Sequence, residues 1–75
     1  MPKRDKAEKF VELANKRVNK ALKHLKLVGN LSNRNNYEYS EQQVRKIVKA
    51  LQEEIDGIRQ RFQDADARKD NDFVL

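Results

Sequence analysis

Lysines repeat along one side of the first predicted helix at a spacing suited to binding phosphate groups. At 100° per residue they cluster on the side away from the apolar residues, with further cations on both flanks. A stripe of positive charge is typical of proteins that neutralise the phosphates of nucleic acids. The residues predicted to contact nucleic acid or an acidic partner are Lys9, Lys16, Arg17, Lys20, Lys23, Arg34 and Tyr37.

Two other interpretations of this charge remain open. Lysine-rich helix surfaces are common for solubility alone, without any ligand. Leu13 also projects on the basic side, and if it is a contact, the charges serve an acidic protein surface rather than nucleic acid. No aromatic residue lies within the stripe to stack on bases, so nucleic-acid binding there is predicted to be largely independent of sequence.

The segment from Gly29 to Ser40 is rich in Asn, which suits turns because its side chain bonds to nearby backbone. Turn chemistry does not require Arg34 or Tyr37. Together they can hold a phosphate and stack on a base or a partner side chain. The segment is therefore predicted to extend the basic surface, with a purely structural turn as the alternative.

Residue types that support catalysis or metal binding are sparse. The chain has no Cys and one histidine, His24, which argues against a zinc site with soft ligands. A catalytic nucleophile needs a base and an orienting group in a pocket, and His24, Ser32 and Ser40 do not suggest one. The sequence predicts a non-enzymatic protein with no catalytic residues, no metal site, no cofactor and no small-molecule substrate.

The element that positions the lysines is an amphipathic helix predicted over about 6–28. Its apolar residues from Ala7 to Val28 alternate four and three positions apart, which is a heptad pattern. Asp5 followed by Glu8 predicts a capping box at its start. Gly29 predicts a left-handed cap at its end.

A second helix is predicted over about 41–65. Ser40 fits the N-cap, Gln43 fits the position that reaches back to it, and Tyr39 fits a hydrophobic staple on Val44. The heptad spacing then continues to Ala65. Gly57 lies inside this helix and costs about 1 kcal/mol relative to Ala, either as a tolerated weak spot or because another backbone approaches closely.

The predicted fold class is all-α, a two-helix antiparallel hairpin whose polar loop covers 29–40. Residues 1–65 form a single domain, and 66–75 form a mobile acidic tail that ends in Phe73-Val74-Leu75. A chain of 75 residues builds a marginal core, and without Cys it has no disulfide to stabilise it. A homodimer forming a four-helix bundle is therefore expected.

Apolar residues beside the heptad positions broaden both stripes beyond what one partner helix covers. The residues predicted for a protein interface are Phe10, Leu13, Leu22 and Ile47. If a different protein supplies the missing surface, the chain is an interaction module such as an antitoxin, an inhibitor or an assembly subunit.

The sequence from Arg17 to Tyr39, with Asn30-Leu31-Ser32-Asn33-Arg34 at its centre, and the apolar repeat up to Phe62 resemble short bacterial proteins encoded on plasmids and other mobile elements. The resemblance covers about 17–62 and implies a bacterial setting, without an activity or functional residues. No apolar run approaches the roughly 18 residues of a membrane span, and the N-terminus lacks the apolar stretch of a secretion signal. A cytoplasmic location is expected.

Overall fold

The computed structural model contains two α-helices joined by a short connection. Helix α1 spans Lys3–Asn30 and helix α2 spans Glu41–Asp70. The structure describes the backbone of residues 3–70 and the side chains of residues 5–67. Over that part of the chain there is no strand, which confirms the all-α prediction. At 1.5 Å per residue, the helices are about 42 and 45 Å long.

The chain divides into two units, one built on α1 and ending at Glu38, the other built on α2 and beginning at Tyr39. The single domain predicted for 1–65 stays a prediction. Within each unit the heptad spacing places an apolar stripe along one side of the helix.

Helix α1 begins earlier than the sequence predicts. Asp5, predicted as the N-cap, lies in the first turn of a helix that already starts at Lys3, so the capping box predicted for Asp5 and Glu8 is wrong. Lys3 and Arg4 are good helix formers, so the helix begins three residues before the predicted start at 6. The Asp5 carboxylate still lies at the positive end of the helix dipole.

Gly29 is helical, so the predicted left-handed cap is also wrong. Helix α1 continues through Gly29 to Asn30, and no residue of the described backbone has a positive φ. The helix closes instead with tight i to i+3 hydrogen bonds, which occupy carbonyls that a left-handed cap would otherwise satisfy. The donors and acceptors are Leu31 N to Val28 O at 3.1 Å, Ser32 N to Gly29 O at 3.1 Å, and Asn33 N to Asn30 O at 3.4 Å.

The capping box predicted at the start of α2 is confirmed. The backbone N–H of Ser40 donates to Gln43 Oε1 at 2.8 Å, and the N–H of Gln43 donates to Ser40 Oγ at 3.1 Å. The N–H of Val44 donates to the Ser40 carbonyl at 3.1 Å and starts the helical ladder. Tyr39 is half-buried, and its staple contact with Val44 stays a prediction.

Helix α2 ends later than the sequence predicts. It continues through Asp70, so residues 66–70, predicted as the beginning of a mobile tail, are helical. The predicted apolar terminus Phe73-Val74-Leu75 lies outside the described residues. Inside α2, a Cβ added at Gly57 would meet nothing within 4 Å, so no group of the described chain approaches this glycine closely.

Neither helix has a buried residue among those described. Val18 and Val48, which lie on the two stripes, are 55% and 57% exposed, and Leu25 and Leu51 are half-buried. Long helices in proteins gain most of their stability from packing of the apolar side rather than from propensity. Each stripe is therefore an exposed apolar surface among the described residues.

Candidate nucleic-acid interface

The cations of α1 form one continuous surface, which we call the basic face. Helical spacing places them on the side opposite the apolar stripe, and every member is exposed. The basic face comprises Lys9, Lys16, Lys20 and Lys23, with Arg17 on one flank and Lys26 on the other.

One member of the basic face has a carboxylate partner. Lys16 Nζ lies 3.4 Å from Glu12 Oε1, one helical turn away, with the two side chains 71% and 63% exposed. Exposed pairs of this kind contribute only about 0.3–0.5 kcal/mol, so exchanging Glu12 for a phosphate oxygen costs little. Among the described residues, no carboxylate pairs with the other members of the basic face.

A long stretch of the chain contains no acidic residue at all. Neither Asp nor Glu occurs between Glu12 and Glu38, whereas six Lys or Arg residues do. Exposed charges farther away than a Debye length, about 8 Å at physiological salt, are largely screened. The positive potential of the C-terminal half of α1 is therefore not neutralised locally. The absence of acidic residues that causes this is visible in the sequence itself.

Helix α2 shows the opposite arrangement. The three arginines whose side chains are described pair with carboxylates on the same helix, and two glutamines of α2 bond to aspartates. The ion pairs are Arg45–Glu41 at 3.5 Å, Arg59–Asp56 at 4.0 Å and Arg61–Glu54 at 3.5 Å. The excess positive charge of the described chain thus belongs to α1 and the connection that follows it.

Asn33 organises the connection between the helices. Its carbonyl accepts hydrogen bonds from the N–H groups of Asn36 at 3.1 Å and Tyr37 at 3.0 Å. Its side-chain Oδ1 accepts a third from the N–H of Asn35 at 2.9 Å. This arrangement is the turn chemistry predicted for the Asn-rich segment, and it is confirmed for Asn33.

Arg34 and Tyr37 are both exposed, Tyr37 by 49%. They follow the C-terminal end of α1 within a few residues and belong to the same unit as the basic face. Their types and exposure are compatible with contact to a phosphate and a base, and their contact with nucleic acid stays a prediction.

The residues predicted for a protein interface are mostly uncovered. Phe10, Leu22 and Ile47 are 58%, 48% and 42% exposed. Leu13 is half-buried and lines a shallow depression of α1 together with Phe10 and the stems of neighbouring lysines. Leu27, on the same side of α1, is 54% exposed.

No three His, Asp or Glu side chains come together within the described residues. Neither helix, as far as it is described, combines the length and apolarity needed to cross a membrane. None of the protein-family models, known proteins or solved structures compared with the chain matches it, so the resemblance to mobile-element proteins stays a prediction.

Proposed function

We propose that the chain is a non-enzymatic helical binding protein of the bacterial cytoplasm that contacts nucleic acid or a nucleoprotein complex. The observation that supports this function is the unbalanced charge of α1, whose basic face is exposed, whereas Arg45, Arg59 and Arg61 of α2 are paired with carboxylates. Lys16, Arg17, Lys20, Lys23 and Arg34 neutralise phosphates in this proposal, and Tyr37 stacks on a base.

Phosphate contacts make the affinity depend steeply on salt. Each neutralised phosphate releases counterions and contributes about 0.9 to the slope of log affinity against log salt on a DNA duplex. Five contacts therefore predict a loss of affinity of about 500-fold between 50 and 200 mM salt. Hydrogen bonds to bases alone would show a much smaller dependence.

Fluorescence anisotropy with labelled nucleic acid at both salt concentrations tests the proposal. The double variant Lys20→Gln, Lys23→Gln removes two cations of the basic face and should lower the salt slope by about 1.8. Lys46→Gln, Lys49→Gln removes the same charge from exposed positions of α2 and should leave the slope nearly unchanged. An equal effect of the two variants, or no binding at low salt, would overturn the proposal.

The assembly we propose is an antiparallel hairpin that dimerises into a four-helix bundle. Two features support it. Small residues recur every seven positions on α1, at Ala7, Ala14 and Ala21, whereas the stripe of α2 is bulkier. The stripes also share one spacing, so that in an antiparallel register Val18 lies level with Ile55 and Val11 with Phe62. Closing the bundle covers stripes that are exposed in the described chain.

Light scattering at several protein concentrations tests the dimer. A mass of twice 8.9 kDa that falls on dilution is expected. Ile55→Asp places a charge in the middle of the α2 stripe and should shift the protein to the monomer, whereas Glu53→Gln on the opposite side of α2 should not. A mass of 8.9 kDa at every concentration, or a doubled mass that Ile55→Asp leaves unchanged, would contradict the proposed dimer.

A second function is an interaction module that adds its helices to a helical partner protein. The observation in its favour is Leu13, an apolar residue beside the basic face that is half-buried against the neighbouring side chains of α1. Leu13→Glu should abolish such a complex and leave helicity intact. A complex with a purified partner that survives Leu13→Glu would show that this residue is not the contact.

A further inference from the structure

The cations of α1 cover a broad arc rather than a narrow line. Arg17 and Lys26 are nine positions apart, which places them about 180° apart around the helix. The four lysines of the basic face lie between these two flanks, and all six side chains are exposed. From Lys16 to Lys26, half of the circumference of α1 therefore carries positive side chains and no acidic one.

An arc of this breadth fits a groove bordered by two phosphate backbones. A helix that lies along a single strand needs cations on one line only, whereas a helix inside a groove meets phosphates on both flanks. An α-helix is about 10–12 Å across with its side chains, and the major groove of B-form DNA is about 12 Å wide. Helix α1 is continuous over 28 residues, so a single helix carries this whole surface.

Other nucleic acids fit the basic face less well. The major groove of A-form RNA is deep and narrow and excludes side chains on a helix. Single strands are bound largely by stacking of successive bases on several aromatic side chains. The basic face contains none, and Tyr37 in the connection offers a single stacking contact next to it. Duplex DNA accepts a helix without stacking, and only its backbone has to be neutralised.

We propose, on the basis of the proposed function, that the basic face binds in the major groove of duplex DNA. Arg17 contacts the phosphates of one strand and Lys26 those of the other, while Lys20 and Lys23, which lie between the two flanks, reach phosphates from inside the groove. Leu27 projects among them and is 54% exposed. Apolar side chains in the major groove contact the C5-methyl group of thymine. In this proposal the exposed Leu27 side chain makes that contact.

The choice of nucleic acid is tested with three labelled probes of one sequence: a DNA duplex of about 20 base pairs, the corresponding RNA duplex, and one DNA strand. Anisotropy at low salt should give an affinity for the DNA duplex at least tenfold higher than for either alternative. An RNA duplex or a single strand that binds as tightly would overturn the groove assignment and leave the proposed function standing. No binding to any probe would overturn both.

The two flanks are tested with Arg17→Gln and Lys26→Gln. Each should lower the salt slope on the DNA duplex by about 0.9, and the double variant by about 1.8. Lys46→Gln on α2 is the control and should leave the slope unchanged, and circular dichroism verifies that all variants keep their helices. An effect confined to one flank would show that α1 lies along a single backbone.

The contact of Leu27 is tested by replacing thymine with deoxyuridine throughout the duplex, which removes only the C5-methyl groups. The native protein should lose at least threefold in affinity, and Leu27→Ala should lose much less on the same replacement. Equal losses for both proteins, or no loss for the native protein, would remove Leu27 from the groove floor.

Discussion

Ser40 and Gln43 exchange hydrogen bonds between side chain and backbone at the start of α2. The N–H of Ser40 donates to Gln43 Oε1 at 2.8 Å, and the N–H of Gln43 donates to Ser40 Oγ at 3.1 Å. The first N–H groups of a helix have no partner inside it, and this pair supplies partners from four residues of sequence. The start of α2 is therefore fixed locally, independently of how the two helices pack.

Ser40→Ala should destabilise the protein by about 1 kcal/mol, because it removes the Oγ acceptor and leaves the N–H of Gln43 without it. Urea denaturation followed by circular dichroism measures the loss. Gln42→Ala, at an exposed position two residues further along, is the control and should change stability by less than about 0.5 kcal/mol. Ser40→Asp keeps an acceptor and should recover most of the stability, and equal stabilities of Ser40→Ala and Gln42→Ala would contradict this role.

The sequence predicts those features whose cause is local. The capping box needs only Ser40 and Gln43, and the distribution of the basic face follows from the helical repeat of the lysines. The two ends of α1 cannot be predicted from local sequence alone. Asp5 fits an N-cap and the first turn of a helix equally well, and Gly29 fits a left-handed cap as well as a helical position. At Gly29 the helical conformation is accompanied by hydrogen bonds from the N–H groups of residues 31–33 to the last carbonyls of α1.

Two features of the candidate site follow from the sequence alone, although the predicted site residues do not depend on them. Glu12 precedes Lys16 by four positions, which is the favourable order for an ion pair on a helix, and the structure contains that pair. The absence of acids between Glu12 and Glu38 also requires only the sequence. How the apolar stripes are covered depends on contacts beyond one helix, and spacing alone leaves a hairpin, a dimer and a partner protein open.

Gly29→Ala should stabilise α1, because Gly29 is helical, has no positive φ, and a Cβ there would meet nothing within 4 Å. The gain should be smaller than the roughly 1 kcal/mol for a helix interior, since Gly29 lies near the end of the helix. Gly57→Ala provides the interior reference, with the same open space around its Cβ. Thermal melting followed by circular dichroism should give a higher Tm for both variants.

The two glycine variants also separate the alternatives raised by the sequence. A lower Tm for Gly29→Ala would indicate a left-handed cap, in which a Cβ is strained by about 1–2 kcal/mol. A weaker dimer for Gly57→Ala in light scattering would indicate that another copy's backbone approaches this position. A rise in Tm with unchanged mass would leave Gly57 as a tolerated weak spot.

Asn33 stabilises the connection through a side-chain hydrogen bond and also lies in the stretch without acidic residues. Asn33→Ala removes the Oδ1 acceptor of the Asn35 N–H, whereas Asn33→Asp keeps an acceptor there but adds a carboxylate to the acid-free stretch. Under the proposed function, Asn33→Asp should retain the stability of the native protein and weaken nucleic-acid binding severalfold at low salt. Asn33→Ala should lower stability by up to about 1 kcal/mol and leave the electrostatic part of binding intact.

Anisotropy and urea denaturation on the same preparations separate the two effects. If Asn33→Asp binds as tightly as the native protein, charge in the connection does not contribute to the interface. If Asn33→Ala is as stable as the native protein, the hydrogen bond to Asn35 contributes no measurable stability in water.

Glu12→Gln should strengthen nucleic-acid binding. The change removes the carboxylate that lies 3.4 Å from Lys16 Nζ and leaves that cation free for a phosphate. Because the pair is exposed, its loss should cost less than about 0.5 kcal/mol of stability. Glu53→Gln raises the net charge by the same amount but lies on α2 rather than on the helix that carries the basic face, and it is the matched control.

Affinity at low salt, measured by anisotropy, should rise severalfold for Glu12→Gln and much less for Glu53→Gln. An equal gain for both would mean that binding responds to net charge alone and not to the basic face of α1.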